Sequence, residues 1–335
     1  MTTNLSTVQL GKTGPAVSRI ALGAMGMSGM YGTADDTVSI ATVHAALDSG
    51  ANLIDTGDFY GMGHNELLIR QALADRKRED VLLSVKYGAL RGPDNSFGGV
   101  DTRPAATKNF LAYSLQRLGT DYIDIYRPAR LDPNVPIEET IGGLAELVQA
   151  GYIRHIGLSE VGAETLRRAA AVHPIADLQI EYSLISRGIE AEILPVAREL
   201  GIGITAYGVL SRGLLSDSVR SGQQFAPSDF RAHSPRFQGE NLDANLRLVD
   251  ALAKIAAERQ VSVAQLAIAW ALSRGTDIVP LIGARKPERW AEAVAAADIR
   301  LSEAELATIE AAVPADQVAG GRYAPAQMAM LDSER

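Results

Sequence analysis

Cysteine is absent from the 335-residue sequence. Its absence excludes disulfides, thiolate metal sites, iron–sulfur clusters and catalytic cysteines. Long apolar runs are missing too, because no segment approaches the roughly 18 residues that a transmembrane helix needs. The opening segment MTTNLSTVQLGKTG is polar and lacks the basic start and apolar centre of a secretory signal. We therefore expect a cytoplasmic protein that does not associate with a membrane.

Positive charge is in short supply. Lys and Arg total 32 against 40 Asp and Glu, which leaves a net charge of −8 and no general attraction to phosphate. Metal-binding patterns are also missing, since the sequence has no H-x-H or H-E-x-x-H motif and its five histidines are scattered. These absences argue against a nucleic-acid partner and a metal site, and they leave a metal-dependent hydrolase poorly supported.

Apolar residues make up 47% of the chain and are strongly patterned. Short β-branched runs recur, and between them the apolar spacing changes to the helical period, as in Leu111, Leu115 and Leu118. Ser262 with Gln265 and Ser302 with Glu305 have the spacing of a capping box, which predicts a helix after each serine. The predicted strands are RIALG (19–23), ANLID (51–55), VLLSVK (81–86), YIDIY (122–126), IRHIGLS (153–159), DLQIEY (177–182), IGITAY (202–207) and DIVPLI (277–282).

Eight strand and helix pairs without a linker between them predict one domain over residues 1–335, a (β/α)8 TIM barrel covering about 7–312. The alternative, an open doubly wound sheet, needs a glycine-rich phosphate loop after its first strand. RIALGAMGMSGMYG lacks the G-x-G-x-x-G register of such a loop. TVQL and AVSRI flank the turn-like GKTGP, so we expect an N-terminal β-hairpin that closes the barrel floor.

Two segments lie outside the repeat. Residues 208–240 form a long connection after the seventh strand, and a loop of that length is usually an active-site cover. Residues 313–335 contain Gly320, Gly321 and Pro325 and predict an irregular C-terminal tail; the ordinary alternative is a frayed terminus.

Polar side chains stand at the carboxyl ends of the apolar strands, where barrels of this type place their chemistry. Each such residue alone would usually be structural, but several together favour a site. The residues at these ends are Asp55, Lys86, Ser159, Gln179, Glu181 and Tyr207.

Asp55, Tyr60 and Lys86 suggest a general acid with its supporting charges. An unperturbed tyrosine has a pKa of about 10, and a nearby ammonium lowers that pKa by favouring the phenolate. Asp55 would hold the ammonium of Lys86. The trio could then protonate a carbonyl oxygen while hydride reaches the carbonyl carbon. Taken singly, Tyr60 could be a loop tyrosine and Lys86 a salt-bridged lysine.

A set of segments taken in chain order carries a family resemblance. They resemble the aldo-keto reductase superfamily, in particular bacterial members of its potassium-channel-β-subunit-like branch, from about residue 7 to 312. The resemblance implies a (β/α)8 barrel that binds NADP(H) across its strand ends without a Rossmann fold. The segments are GANLIDTGDFYGMGHNE, SVKYG, LGTDYIDIY, IRHIGLSE, LQIEYSLISR, ITAYGVLSRGLL and IVPLIGARKPERWAEA.

The resemblance also implies roles for individual residues. The family's catalytic aspartate, tyrosine and lysine match Asp55, Tyr60 and Lys86. Ser159 and Gln179 match its contacts to the nicotinamide carboxamide. The positions matching the family's cofactor site as a whole are Gly23, Met25, Asp55, Ser159, Gln179, Tyr207, Gly208, Val209, Leu210, Ser211, Arg212, Gly213, Gly283, Arg285, Arg289 and Glu292.

Within that set, Tyr207 matches the ring that stacks on the nicotinamide, and residues 208–213 match the loop that covers the pyrophosphate. Arg285 and Arg289 are candidates for a 2′-phosphate, which a guanidinium can hold by two hydrogen bonds, and Glu292 for the adenine end. Apart from the resemblance, this last segment reads as an ordinary solvated helix start. Ala293 stands where the family often has an asparagine, which weakens the adenine assignment.

A second departure affects catalysis. The family's fourth strand normally runs into a histidine that polarises the substrate carbonyl, and Ala129 occupies that position here. Arg127 or Arg130 could turn inward to supply the missing donor, water or substrate groups could supply it, or the enzyme could act slowly on bulky substrates. For Arg127 we favour an outward orientation towards acidic residues such as Asp132; for Arg130 the sequence indicates neither.

We therefore expect an NADPH-dependent reductase of small-molecule aldehydes or ketones, acting reversibly on the alcohols, with Tyr60 as the general acid. The alternative is an NADP(H)-binding regulatory subunit that senses redox state and has little catalytic demand. The sequence indicates neither the physiological substrate nor the oligomeric state.

Overall fold

A computed structural model describes residues 4–94 and 96–335; residues 1–3 and 95, which belong to the predicted domain, lie outside the described residues. Within the described part, eight parallel strands close a barrel and two antiparallel hairpins stand apart from it. The strands are β1 Thr7–Gln9, β2 Ala16–Ser18, β3 Ala21–Gly23, β4 Leu53–Gly57, β5 Leu82–Tyr87, β6 Ala89–Arg91, β7 Phe97–Val100, β8 Ile123–Pro128, β9 Ile153–Ser159, β10 Ile175–Glu181, β11 Gly203–Tyr207 and β12 Ile278–Gly283.

The predicted (β/α)8 barrel is confirmed. Its strands follow one another around the ring in the order β3, β4, β5, β8, β9, β10, β11, β12, with β12 pairing back to β3. Each predicted apolar run became a barrel strand, with boundaries that differ by at most two residues, the usual uncertainty of strand ends. The hairpin of β6 and β7 was not predicted; it extends the loop after β5.

The α-helices surround the barrel, and none of those in the described residues is long and apolar enough to span a membrane. Both predicted capping boxes are present, with Ser262 and Ser302 each accepting from the backbone three residues on. The helices are α1 Asp36–Asp48, α2 His64–Ala72, α3 Pro104–Leu118, α4 Ile137–Gln149, α5 Ala163–Val172, α6 Ile193–Leu200, α7 Gly239–Glu258, α8 Val263–Ser273, α9 Pro287–Ala295, α10 Glu303–Ala312 and α11 Pro325–Met328.

The β1–β2 hairpin closes the floor of the barrel, as predicted. Leu10 is fully buried at the tip of β1 and packs with an apolar cluster inside the barrel. Gly11 adopts a φ of +62°, and a Cβ there would lie 2.6 Å from the carbonyl oxygen of Ala176, so only glycine fits this approach. The other members of the interior cluster, which we call the floor plug together with Leu10, are Val17, Ala21, Leu53, Ile125, Val279 and Leu281.

The long connection and the tail both lie at the opposite end. The connection runs from residue 208 to the start of α7 at Gly239 and contains three 3-10 turns. The tail is irregular, as predicted, but the alternative of a frayed terminus is wrong. Asn245 pairs with both backbone groups of Ala319 at 2.9 Å, Gly162 donates its N–H to Asp332 at 2.8 Å, and Leu331 is buried.

Candidate active site

A buried ion pair lies at the centre of the barrel mouth. Asp55 on β4 and Lys86 on β5 form a salt bridge, and their side chains are only 3% and 6% exposed. Ser84 and Gln179 each donate to the second oxygen of Asp55 at 2.7 Å. Because side chains alternate along a strand, Asp55 shares the interior face with Leu53 of the floor plug. The predicted pairing of Asp55 with Lys86 is therefore present.

Tyr60 lies against this pair. It begins a 3-10 turn after β4, in which Gly61 and Met62 both have left-handed backbone angles. The turn places the Tyr60 ring beside Lys86, with Nζ 5.1 Å from the ring centroid. Gly57 leaves room for the ring, because a Cβ there would lie 3.3 Å from Tyr60. The three residues that the sequence singled out are thus brought together.

Burial dominates the pKa values of the trio. It lowers the pKa of Lys86 to about 8; the Asp55 carboxylate opposes this shift, and the charges of Arg127 and Arg130 add to it. Burial also raises the pKa of Tyr60 well above 10, with Asp55 adding to the rise and Arg130 opposing it. The expectation of a lowered Tyr60 pKa is wrong for this structure, because loss of hydration outweighs the neighbouring cations.

Arg127 points into the barrel, so the favoured outward orientation is wrong. Its side chain is fully buried, and Nη2 donates to both carboxylate oxygens of Asp177 at 2.9 Å. Nη1 lies 3.6 Å from Asp55. The physical reason is the alternation along β8, in which Ile125 of the floor plug and Arg127 share the interior face.

Ala129 and Arg130 follow at the rim. Ala129 is buried, and its N–H donates to the carbonyl of Tyr87 at 2.8 Å. Arg130 folds back over it, with Nη1 donating to the carbonyl of Ala129 at 2.6 Å. Although burial opposes the shift, the neighbouring Tyr323 and Tyr207 and the carboxylate of Glu160 raise the pKa of Arg130. Arg130 therefore faces the mouth, the orientation that the sequence left open.

Two buried glutamates and three arginines form a further group at the rim, which we call the mouth cluster: Glu160, Glu181, Arg212, Arg236 and Arg322. Arg322, from the tail, lies 2.8 Å from Glu160 and 3.3 Å from Glu181. Burial opposes the ionisation of Glu160, yet Arg322 and Arg130 hold its pKa at about 2. Glu160, Arg236 and Arg322 were not predicted, and of the three only Glu160 directly follows a predicted strand, as the predicted site residues do.

Tyr207 is anchored by this group. Its hydroxyl donates to Glu160 at 2.7 Å and lies 2.8 Å from the hydroxyl of Tyr323 in the tail. Ser159 and Gln179 are paired residues on β9 and β10, immediately beside it. The residues matched to the nicotinamide end are therefore gathered on adjoining strands.

The loop 208–213 has the character of an anion site. Ser211 and Arg212 both have positive φ angles, which are unusual for residues other than glycine. Val209 is buried beneath them and anchors the loop to the core, with Leu210 packed alongside. Ser211 Oγ and Arg212 Nη1 are buried without a hydrogen-bond partner among the described residues. Unpaired buried donors of this kind fit phosphate oxygens.

Glycines line the rim on the other side of the barrel. Gly283 pairs with Gly23, which pairs in turn with Asp55, so the three residues are neighbours across β12, β3 and β4. A Cβ at Gly283 would meet only a carbonyl oxygen at 3.9 Å, which leaves the backbone open to a ligand. Met25 begins the 3-10 turn that follows β3.

The start of α9 carries the remaining candidates. Arg289 is half exposed and forms ion pairs with Asp217 at 3.0 Å and Glu292 at 2.9 Å. Arg285 donates to the carbonyl of Tyr31 at 2.9 Å. Glu292 also accepts from Ser262 at 2.6 Å. Ala293 is buried in the core.

Of the five histidines, His64 follows the turn of Tyr60 and lies 3.0 Å from the hydroxyl of Ser28, and His155 is half-buried with a pKa that burial lowers. In the part of the chain that the structure describes, no group of three or more His, Asp or Glu side chains could hold a metal ion.

Comparisons with known proteins agree with this geometry. The model of the Aldo/keto reductase family matches residues 19–314. The probable aldo-keto reductase 1 of Glycine max is 42% identical over 319 residues, which cover 94% of this chain and 91% of that protein.

Two solved structures share the fold. The glycerol dehydrogenase AKR11B4 from Gluconobacter oxydans superposes with a TM-score of 0.83 and 33% identity, covering 92% of this chain and 94% of that one. The holo form of the aldo-keto reductase AKR11C1 from Bacillus halodurans has a TM-score of 0.77 and 26% identity, covering 93% and 97%. The chain belongs to the aldo/keto reductase family, and it is an oxidoreductase of small molecules that acts on carbonyl or alcohol groups with a nicotinamide cofactor.

Proposed function

We propose that the protein is an NADPH-dependent carbonyl reductase that reduces small aldehydes or ketones and oxidises the corresponding alcohols in the reverse direction. The observation that carries this proposal is the contact of Tyr60 with the buried Asp55–Lys86 pair at the mouth of a family barrel. A lysine ammonium is costly in such a buried place, because burial penalises its charged form, and a buried ion pair beside a tyrosine hydroxyl is typical of a catalytic site.

Tyr60 acts as the general acid. Its raised pKa keeps the hydroxyl protonated at neutral pH, so the proton is in place when a carbonyl oxygen arrives. Lys86 lies beside the ring and stabilises the phenolate that forms when the proton leaves. Asp55 keeps Lys86 charged and fixed. The nicotinamide, when bound, supplies the hydride that reaches the carbonyl carbon.

Arg130 supplies the hydrogen-bond donor that the family's histidine would otherwise provide. Its guanidinium folds over residue 129, the position at which that histidine is missing. Its charge opposes the rise in the pKa of Tyr60, so the guanidinium lies close enough to influence a carbonyl oxygen that accepts the proton of Tyr60. A cation there stabilises developing negative charge on the carbonyl oxygen.

The cofactor residues fit a dinucleotide. The unpaired donors of Ser211 and Arg212 suit the pyrophosphate, and Tyr207 is held by Glu160 so that its ring can serve as a stacking surface. Gln179 is fixed by its bond to Asp55 and lies beside Ser159, which suits a carboxamide. Arg285 and Arg289 are the candidates for the 2′-phosphate of NADPH.

A second candidate function is an NADP(H)-binding regulatory subunit of the potassium-channel-β-like type. The observation in its favour is Ala129, which removes a donor from the reaction site. This candidate predicts cofactor binding without turnover.

The decisive experiment measures NADPH oxidation with a panel of aldehydes, ketones, quinones, keto-sugars and keto-steroids. We expect Tyr60→Phe to lower kcat by about 1,000-fold, because general acid catalysis of this kind is lost. Tyr113→Phe is the matched control, since Tyr113 is 58% exposed. Full activity in Tyr60→Phe would contradict the assignment. NADPH binding with no turnover in the wild type would favour the regulatory subunit.

Cofactor preference is tested separately. We expect Arg289→Ala to weaken NADPH binding about 10-fold and to leave NADH binding unchanged, because only NADPH carries the 2′-phosphate. Fluorescence titration with both nucleotides measures this, with Arg168→Ala on α5 as the control. Equal weakening of both nucleotides would remove Arg289 from the phosphate site.

A further inference from the structure

A second ion pair lies inside the barrel beside the catalytic one. Arg127 on β8 and Asp177 on β10 are both fully buried and are joined by two contacts of 2.9 Å. Thr205 on β11 also donates to Asp177. Two carboxylates and two cations from four strands thus form a compact group, which we call the interior quartet: Asp55, Lys86, Arg127 and Asp177.

The barrel is shaped around this second pair. Gly157 on β9 faces it, and a Cβ there would lie 2.5 Å from Asp177 Oδ1 and 2.8 Å from Arg127 Nε. No side chain other than hydrogen fits between them. The space therefore exists only because residue 157 is a glycine.

Arg127 is not saturated by Asp177. Nη1 lies 3.6 Å from Asp55, beyond a normal hydrogen bond. Nε and Nη1 have no hydrogen-bond partner among the described residues. The Nη1 group of Arg127 therefore faces the carboxylate of Asp55, which holds Lys86, with a positive charge that no hydrogen bond among the described residues neutralises.

We propose that Arg127 is a positioning residue: Asp177 anchors it on one side, and on the other it steadies Asp55 and places a second positive charge next to Lys86. The proposal rests on the carbonyl reductase function only in that Lys86 is a working group of that reaction. Arg127 acts on that reaction through Asp55 and Lys86.

The charges that face Lys86 determine the sign of the expected effect. Asp55 on β4 raises its pKa, whereas Arg127 on β8 and Arg130 after β8 lower it. Tyr60 lies over Lys86 but is neutral at these pH values, because burial raises its pKa well above 10. Asp177 faces Arg127, and burial raises its pKa although Arg127 opposes the rise. Removal of Arg127 therefore raises the pKa of Lys86 from about 8, and it also removes the charge that opposes the rise in the pKa of Asp177.

The test follows the titration of Lys86 directly by NMR of isotope-labelled lysine, with Lys86→Met to assign its signal. We expect Arg127→Met to raise the midpoint by about half a pH unit or more. The alkaline limb of kcat for the best carbonyl substrate should move by the same amount. Arg127→Lys keeps the charge and should restore the midpoint. Arg168→Met, which removes a half-exposed arginine from α5, should leave it unchanged.

A double variant keeps the test secure if Arg127→Met does not fold, since it leaves no unpaired buried charge. Arg127→Met with Asp177→Asn retains an acceptor for Thr205 and should show the same upward shift. An unchanged Lys86 midpoint in the folded double variant would overturn the proposal. A shifted midpoint without carbonyl turnover in the wild type would instead count against the reductase function alone.

Discussion

The two ends of the barrel are closed by different kinds of contact. At the floor, the N-terminal hairpin inserts Leu10 into an apolar plug, where burial is non-directional and leaves no polar group to satisfy. At the mouth, the C-terminal tail inserts Arg322 between Glu160 and Glu181, where every contact is directional and depends on charge. The end without chemistry is therefore closed by apolar packing, whereas the end with chemistry is closed by ion pairs between charged side chains.

The change from apolar to charged side chains inside the barrel occurs between two successive inward-facing residues of one strand. On β4, Leu53 belongs to the floor plug and Asp55 to the interior quartet. On β8, Ile125 and Arg127 repeat the same change. Two residues span only about 7 Å along a strand, so the boundary between apolar and charged layers is abrupt.

Loss of the ion pairs that Arg322 forms with Glu160 and Glu181 should have the largest effect on stability. We expect Arg322→Met to lower the free energy of unfolding by about 4 kcal/mol, because it leaves two buried carboxylates short of a partner. Denaturant unfolding measures the change, and limited proteolysis of the tail shows where the structure opens. Arg168→Met, which breaks a half-exposed pair with Glu138, should leave the free energy of unfolding nearly unchanged. Equal costs for the two variants would mean that charge does not seal the mouth.

Loss of the apolar seal should come next. We expect Leu10→Ala to lower the free energy of unfolding by about 3 kcal/mol through lost burial and the cavity left behind. The turnover of the folded enzyme should not change, because the floor lies at the opposite end from Tyr60. Leu67→Ala, at a position that is 45% exposed, is the control and should be nearly neutral. A fall in kcat for Leu10→Ala would show that the two ends are coupled.

The smallest effect that we expect is a difference between the two ends of the barrel in how the free energy of unfolding depends on acidic pH. The pKa of Glu160 is held at about 2, below its ordinary value of 4.5, so its contribution is complete above pH 4.5 and is lost as the pH falls towards 2. The unfolding free energy of wild type and of Leu10→Ala should fall in parallel over this range. Arg322→Met should show a shallower fall, because Glu160 then titrates nearer its ordinary value. Parallel curves for all three proteins would rule out Glu160 as the source.

The fold was predictable because each barrel strand is a short apolar run, and such a run can be recognised from the local sequence alone. The pairing of Asp55 with Lys86 was predictable for the same reason, since polar residues near the ends of neighbouring barrel strands converge, whereas Tyr60 lies in the turn after β4 and was found through the family resemblance. Arg127 was also within reach, because alternation from Ile125 places it inside the barrel. The contacts of the tail were not predictable, since Arg322 and Glu181 are 141 positions apart in the sequence and no periodicity links them.

Gly157 also constrains how this protein can change. Its missing side chain is the space that Arg127 and Asp177 occupy, so neither partner can be exchanged freely while the other remains, and residue 157 cannot grow until both have changed. Mutational paths through this part of the barrel must therefore begin at 127 or 177. A library that randomises 127, 157 and 177 together should yield active combinations that no series of single substitutions beginning at 157 can reach.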